Sequence, residues 1–195
     1  MLVSEVFYSL QGEGCHQGRA AAFIRFFGCD LDCDFCDEPL HRTEQHKKTI
    51  NELLTTIKEW PTRYVILTGG EPSLEDRNEL ILELQDQGYE VAVETNGYEP
   101  EHIRCADWIT YSPKDWNAVN LEPFFDEIKL ICDTDSDRDQ IHQIAKGTQK
   151  PVLVQPKFLI DPLLSQANAA FCHQLILESP RLRLSLGLQR FLRFK

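Results

Sequence analysis

The residues best equipped for chemistry stand in one short loop. Cys29, Cys33 and Cys36 lie in the string Cys29-Asp30-Leu31-Asp32-Cys33-Asp34-Phe35-Cys36, a CxxxCxxC spacing. Thiolates spaced this way can converge from one loop onto a soft-metal centre. Several chemistries compete for it. A structural zinc site takes four closed ligands, so Cys15 or a nearby His or Asp would have to complete it, and no second Cys pair exists. A redox dithiol would use Cys33 and Cys36 and leave Cys29 idle. Burial as small apolar side chains accounts well for Cys105, Cys132 and Cys172, and poorly for three thiols in an Asp-rich loop. An iron–sulfur cluster is the remaining reading. Four-iron clusters usually take four thiolates, so three would leave one iron open to a small molecule. The odd total of seven cysteines argues against a disulfide framework.

Other polar groups follow short apolar runs. They are Thr68-Gly69-Gly70-Glu71-Pro72, Glu94-Thr95-Asn96-Gly97, Ser112-Pro113-Lys114 and Gln155-Pro156. Upstream stands Gln11-Gly12-Glu13-Gly14. Each alone reads as turn chemistry; their joint placement after successive strands is harder to assign to turns. Arg25 sits within an apolar run, where its planar fork suits either a ligand carboxylate or an ion pair. The six histidines show no ligand spacing and read as surface or structural residues.

The elements that must position these groups follow from periodicity. Apolar runs at Ala20–Phe27, Tyr64–Leu67, Val91–Thr95, Trp108–Tyr111, Glu127–Cys132, Val152–Val154 and Leu182–Leu186 read as strands. Helical spacing joins Ile50, Leu53, Leu54, Ile57 and Trp60 behind Thr49, an N-cap residue. A second helix carries Leu74, Leu80, Ile81 and Leu84, closed by Gly88 at C′. Ile141, Ile144 and Ala145 mark a third, and Ala169 to Leu177 a fourth. Continuous apolar strands separated by helices indicate a parallel α/β sheet covered by helices. The length falls short of the roughly 250 residues of a full eight-unit barrel. An incomplete barrel or a doubly wound sheet remains, and both place chemistry at the C-terminal strand ends.

The chain has 195 residues, 31 acidic and 20 basic, for a formal charge of −11. One domain over residues 1–195 is the default at this length. The acidic balance argues against nucleic acid or an anionic membrane as partner. No apolar run approaches the roughly 18 residues of a bilayer span, and Met1–Val6 lacks the basic start of a secretory signal. The expectation is a cytoplasmic protein.

CxxxCxxC with Phe35 before the last cysteine, together with Gly69-Gly70-Glu71-Pro72, resembles the radical S-adenosylmethionine superfamily. The start Phe7-Tyr8-Ser9-Leu10-Gln11-Gly12-Glu13-Gly14, then Gly18, Phe23-Ile24-Arg25-Phe26 and Gly28-Cys29-Asp30-Leu31, narrows it. With the strand-end motifs and Glu127-Ile128-Lys129, it is similar to the 7-carboxy-7-deazaguanine synthase family over nearly the whole chain.

The resemblance implies an incomplete, modified (β/α) barrel, commonly a homodimer, that acts as a carbon–nitrogen lyase. Its members convert 6-carboxy-5,6,7,8-tetrahydropterin to 7-carboxy-7-deazaguanine by radical ring contraction with loss of ammonia, on the route to queuosine and related deazapurines. The implied cofactors are a 4Fe-4S cluster, S-adenosyl-L-methionine (SAM) and Mg2+, with a reducing electron donor such as flavodoxin or ferredoxin. By position, Cys29, Cys33 and Cys36 would ligate the cluster. Phe35, Gly70, Ser112, Pro113, Lys114, Gln155 and Pro156 would contact SAM. Leu10, Gln11, Gly12, Thr68, the Arg25 guanidinium and the terminal carboxylate of Lys195 would hold the pterin. The family usually carries Asp-Thr after the last cysteine; here Asp37-Glu38 stands there, and Glu38 is expected near magnesium, which accepts carboxylate oxygen. Lys157 replaces a frequent Met, and Gln189-Arg190 a frequent His-Lys pair.

Two other classes share part of these signals. An activase abstracting hydrogen from a partner protein would carry CxxxCxxC without the Ser9–Gly14 start and Arg25. A non-enzymatic metal or electron-transfer module would not need the strand-end Gly-Gly-Glu-Pro.

Overall fold

The computed structural model describes residues 1–36, 38–122 and 124–193. Nine strands form one sheet: β1 Leu2–Leu10, β2 Ala20–Phe26, β3 His46–Lys47, β4 Tyr64–Gly69, β5 Glu90–Thr95, β6 Trp108–Tyr111, β7 Glu127–Cys132, β8 Val152–Pro156 and β9 Leu182–Leu184. Their order is β3-β1-β2-β4-β5-β6-β7-β8-β9. β1 pairs antiparallel with β2 and with β3, and every pairing from β2 to β9 is parallel. The sheet is an incomplete barrel: its two ends do not pair.

The five helices are α1 Ile50–Ile57, α2 Asn78–Asp86, α3 Arg138–Gly147, α4 Pro162–Glu178 and α5 Leu188–Leu192. α1 begins with a reciprocal cap between Thr49 and Glu52, which satisfies two otherwise orphaned backbone donors. α2 ends at Gly88, whose φ of +80° suits the left-handed turn.

Alternation along the strands makes two faces. Ile24, Phe26, Val65, Leu67, Val91, Val93, Ile128 and Leu130 point outward into the main core. There they meet Leu53 and Ile57 of α1, Leu80, Ile81 and Leu84 of α2, Ile141 and Ile144 of α3, and Phe171 and Leu175 of α4. The other face carries a smaller inner cluster of Ala21, Phe23, Tyr64, Ile66 and Ala92, against Phe7 and Trp108. Two residues further along the same strands, this inner face turns polar at Arg25, Thr68 and Glu94.

The structure departs from the sequence reading in three places. β1, the longest strand, interleaves Ser4, Glu5 and Ser9 with apolar residues, so it is not an apolar run. Its inner half-face is only partly buried, which explains the polar insertions. β5 and β6 are joined by a 3-10 turn at Pro100–Ile103, and β6 and β7 by a loop containing another at Trp116–Ala118, so two crossovers lack an α-helix. The segment after the cysteine loop forms a 3-10 turn at Pro39–Arg42 followed by the short edge strand β3.

Where β1 and β9 fail to pair, the loop after β1 spans the gap. Gly14 N–H donates to Ser185 Oγ at 3.0 Å, Gln17 Nε2 to Leu186 O at 2.8 Å, and Leu188 N–H to Gly12 O at 3.1 Å. The glycine-rich motif after β1 is therefore a bridge across the open side of the barrel.

Candidate active site

The polar end of the inner face, the cysteine loop and the start of α5 enclose a cavity of about 550 Å³. The loop leaves β2 at Gly28. Gly28 N–H donates to His41 O at 2.9 Å, and Gly28 O accepts from Glu71 N–H at 2.8 Å. The loop is thus fastened to the end of β4. That approach requires glycine: a Cβ on Gly70 would collide with Gly28 O. Glu71 is buried and accepts from Ser73 N–H, Ser73 Oγ, Thr95 Oγ1 and Asn96 N–H. Burial raises its pKa against those four donors. Glu71 locks the end of β4 to the end of β5.

Cys29, Cys33 and Cys36 all line the cavity. Burial pushes the Cys29 thiol up to about 11. Burial also raises Cys33, opposed by the nearby Lys114 charge. Among the described residues, no three His, Cys, Asp or Glu side chains converge on a single metal point. A multi-iron cluster spreads its thiolates over separate irons, so it does not need such a point. The donor set fits it: three thiols on one loop, with glycine backbone packed behind. Phe35 also faces the cavity, with Lys157 Nζ 4.9 Å above its ring and Asp133 holding that ammonium at 3.2 Å.

Opposite the loop, Ser112, Lys114, Gln155 and Pro156 line the wall. Lys114 Nζ donates to Ser112 O at 2.6 Å and Ser112 Oγ at 2.9 Å, and burial lowers its pKa. Gln155 Oε1 accepts from Ser185 Oγ at 2.7 Å. Pro113 is buried and lines a smaller adjoining cavity with Phe35 and Lys114. Leu10, Gln11, Gly12, Arg25, Thr68 and Glu38 also line the main cavity. Lys195 lies outside the described residues. The sequence reading is therefore gathered in one place, apart from Pro113 and Lys195.

Arg25 does not stand open. Its Nε donates to Glu5 Oε1 at 2.9 Å, and Glu38 Oε2 lies 3.2 Å from its Nη2. The ion-pair reading of Arg25 holds, and the paired guanidinium borders the cavity.

The cavity floor contains residues the sequence reading gave no role. Lys129 is buried, 2.5 Å from Glu13 Oε2 and 2.8 Å from Glu94 Oε2. Gln11 Nε2 donates to Glu94 Oε1 at 2.8 Å, and Gln189 Nε2 to Glu13 Oε1 at 3.0 Å. Burial pushes the Glu13 carboxyl up, but Lys129 and the hydrogen bonds bring it below its ordinary value. Burial keeps the Glu94 carboxyl above its ordinary value despite Lys129. Burial works against the Lys129 charge, and the two carboxylates overcome it, so its pKa is raised. A signal was available: Glu127 and Lys129 share one face of an otherwise apolar strand. His41, read as surface or structural, is buried at the cavity, and Cys15 is exposed and does not line it.

An open, mostly parallel β/α sheet that brings a CxxxCxxC loop against a strand-end Gly-Gly-Glu-Pro defines a radical SAM enzyme. The sequence model of the Radical SAM superfamily matches residues 23–152. Enzymes of this class use a 4Fe-4S cluster and S-adenosylmethionine. A 7-carboxy-7-deazaguanine synthase of Bacteroides thetaiotaomicron is 37% identical over 190 residues, covering 94% of this chain and 93% of that one. One of Synechocystis sp. is 33% identical over 198 residues, covering 97% and 91%. Within the superfamily, the chain belongs to the 7-carboxy-7-deazaguanine synthase family. The crystal structure of QueE from Escherichia coli shares the fold, with a TM-score of 0.73 over 95% of this chain and 92% of that one, at 24% identity.

Proposed function

We propose that this chain, as one radical SAM domain over residues 1–195, converts 6-carboxy-5,6,7,8-tetrahydropterin to 7-carboxy-7-deazaguanine with loss of ammonia, for queuosine or a related deazapurine. The observation that carries this reading is the meeting of the cysteine loop, Arg25 and the Gln11–Glu13 segment in one cavity. When bound, the cluster would supply one electron to SAM, and SAM so reduced would supply the hydrogen-abstracting group. Cys29, Cys33 and Cys36 hold the cluster. The Gly70 backbone, Ser112, Lys114, Gln155 and Pro156 hold SAM, with Phe35 and Pro113 beside it.

The chain's own residues orient the substrate. Arg25 offers a guanidinium to its carboxylate, and Thr68 adds a hydroxyl. Leu10, Gln11 and Gly12 supply polar and flat surface to the ring, and the terminal carboxylate of Lys195, which lies outside the described residues, is assigned to it by the family resemblance. Lys129, held between Glu13 and Glu94, keeps the floor rigid and the charge fixed. Glu38 is the residue that would offer a carboxylate oxygen to Mg2+. A flavodoxin- or ferredoxin-like donor supplies the electron, and the enzyme works as a cytoplasmic homodimer. No helix among the described residues is long and apolar enough to cross a membrane.

The test is anaerobic reconstitution with iron and sulfide, reduction, and addition of SAM with carboxytetrahydropterin. The expected result is deazaguanine product. SAM cleavage without that product would overturn the substrate assignment and favour an activase. A chain that binds iron but leaves SAM intact would favour a non-enzymatic module.

A further inference from the structure

His41 is only 2% exposed, and its ring faces the cavity. Its Nε2 lies 3.5 Å from Cys36 Sγ. Its Nδ1 is buried with no hydrogen-bond partner among the described residues. Its carbonyl is taken by Gly28 N–H, so the residue is anchored to the backbone that also starts the cysteine loop. A buried polar ring with one edge on a sulfur and the other edge unused calls for an explanation.

The contact has two modes. Against a thiol, Nε2 accepts from S–H. Against a thiolate, Nε2 must carry the hydrogen and donate. Changing from one tautomer to the other normally breaks a bond at the opposite nitrogen. Here Nδ1 has no side-chain hydrogen-bond partner among the described residues, so the donor form gives up none there. Arg42 Nε donates to Nε2 at 3.5 Å, at the limit of hydrogen bonding; the donor form of His41 gives up that contact, while Arg42 keeps its Nη1 pairing with Asp32. The same loop already offers a second sulfur a donor: Leu31 N–H points at Cys29 Sγ at 3.5 Å.

We propose that His41 is a positioning residue for the iron–sulfur cluster, its Nε2–H donating to the Cys36 thiolate, orienting that sulfur and making the cluster easier to reduce. Hydrogen bonds to ligand sulfurs draw off negative charge, favour the reduced form and raise the potential. The proposal rests on the assignment of Cys29, Cys33 and Cys36 as cluster ligands.

The test compares wild type, His41→Phe and His41→Gln, each reconstituted with iron and sulfide and titrated potentiometrically by electron paramagnetic resonance. The expected result is a full cluster in His41→Phe with a more negative midpoint potential. His41→Gln, which keeps an N–H donor, recovers most of that shift. Equal potentials in wild type and His41→Phe at full iron content would overturn the proposal. A measurement on the unmutated protein guards against a variant that does not fold. With 15N-histidine, the reduced cluster should show a nitrogen coupling and an exchangeable N–H proton, and absence of both overturns it. Wild-type protein that takes up no iron defeats the ligand assignment itself, and this proposal with it.

Discussion

Glu38 Oε2 lies 3.2 Å from Arg25 Nη2, on a guanidinium whose Nε already holds Glu5 at 2.9 Å. Two carboxylates therefore share the cation assigned to the substrate. A third must displace one of them or share the fork. Glu38→Gln removes a competing charge at nearly constant size. At saturating magnesium its KM for the carboxypterin should fall about two- to fivefold, the scale of a partly exposed ion pair. The magnesium needed for half-maximal rate should rise. Arg25→Lys loses the planar fork and should raise KM about tenfold or more. Steady-state kinetics checks both, and an unchanged KM in Arg25→Lys removes Arg25 from the substrate site.

The cysteines should divide sharply in iron content. Cys29→Ala, Cys33→Ala and Cys36→Ala should each fail to keep the about four irons of a single cluster. Cys15→Ser, exposed and away from the loop, should keep them. Iron analysis after reconstitution reads the difference.

Gly70→Ala places a methyl group on Gly28 O. Either the cysteine loop or the end of β4 must move. Overpacking of this kind costs about 1–3 kcal/mol, or about 3–10 °C in Tm for a domain of this size. Because the displaced backbone borders the SAM site, affinity for SAM should also fall, about tenfold or more by calorimetry, under conditions where the variant is still folded.

The floor triad should respond unequally to loss of its two kinds of partner. Lys129→Met leaves two buried carboxylates without their cation and should cost about 3–5 kcal/mol. Glu94→Gln should be milder, since an amide oxygen still accepts from Gln11. Its pH dependence has a defined sign. The folded pKa of Glu94 lies above its ordinary 4.5. Its contribution to stability is therefore complete below that value and is lost as pH rises through the folded pKa. The stability of wild type minus that of Glu94→Gln should fall as pH rises from about 4.5 through the raised folded pKa. Urea unfolding across that range measures it; a difference that grows with pH would contradict the raised pKa.

The parallel core was legible because buried strands such as β2 and β4 are nearly continuous in apolar residues. β1 was not, because Ser4, Glu5 and Ser9 interrupt its apolar residues and much of the strand is only partly buried. The cysteine loop and the strand-end motifs were legible because spacing alone limits what they can build. The triad of Glu13, Glu94 and Lys129 was not, because its members are 35 to 116 residues apart in sequence and only the sheet brings them together. Arg25 was legible as a cation at the site, whereas its two carboxylate partners depend on how β1 and the turn after Cys36 come to rest beside it. His41 carries no spacing signal; only its depth beside Cys36 sets it apart.

The bridge from β1 to α5 bears on how the molecule moves. A barrel sealed by a β-ladder opens only by losing many bonds together. Here the seam is a handful of separate hydrogen bonds at Gly12, Gly14 and Gln17, and each can break without the others. The lowest-energy breathing of the wall therefore runs along this seam, and not through the parallel strands. Gln11 and Glu13 belong to the same segment, so a fluctuation that loosens the wall also lifts one side of the cavity floor. Access to the interior and the order of its polar floor are, in this chain, a single mechanical coordinate.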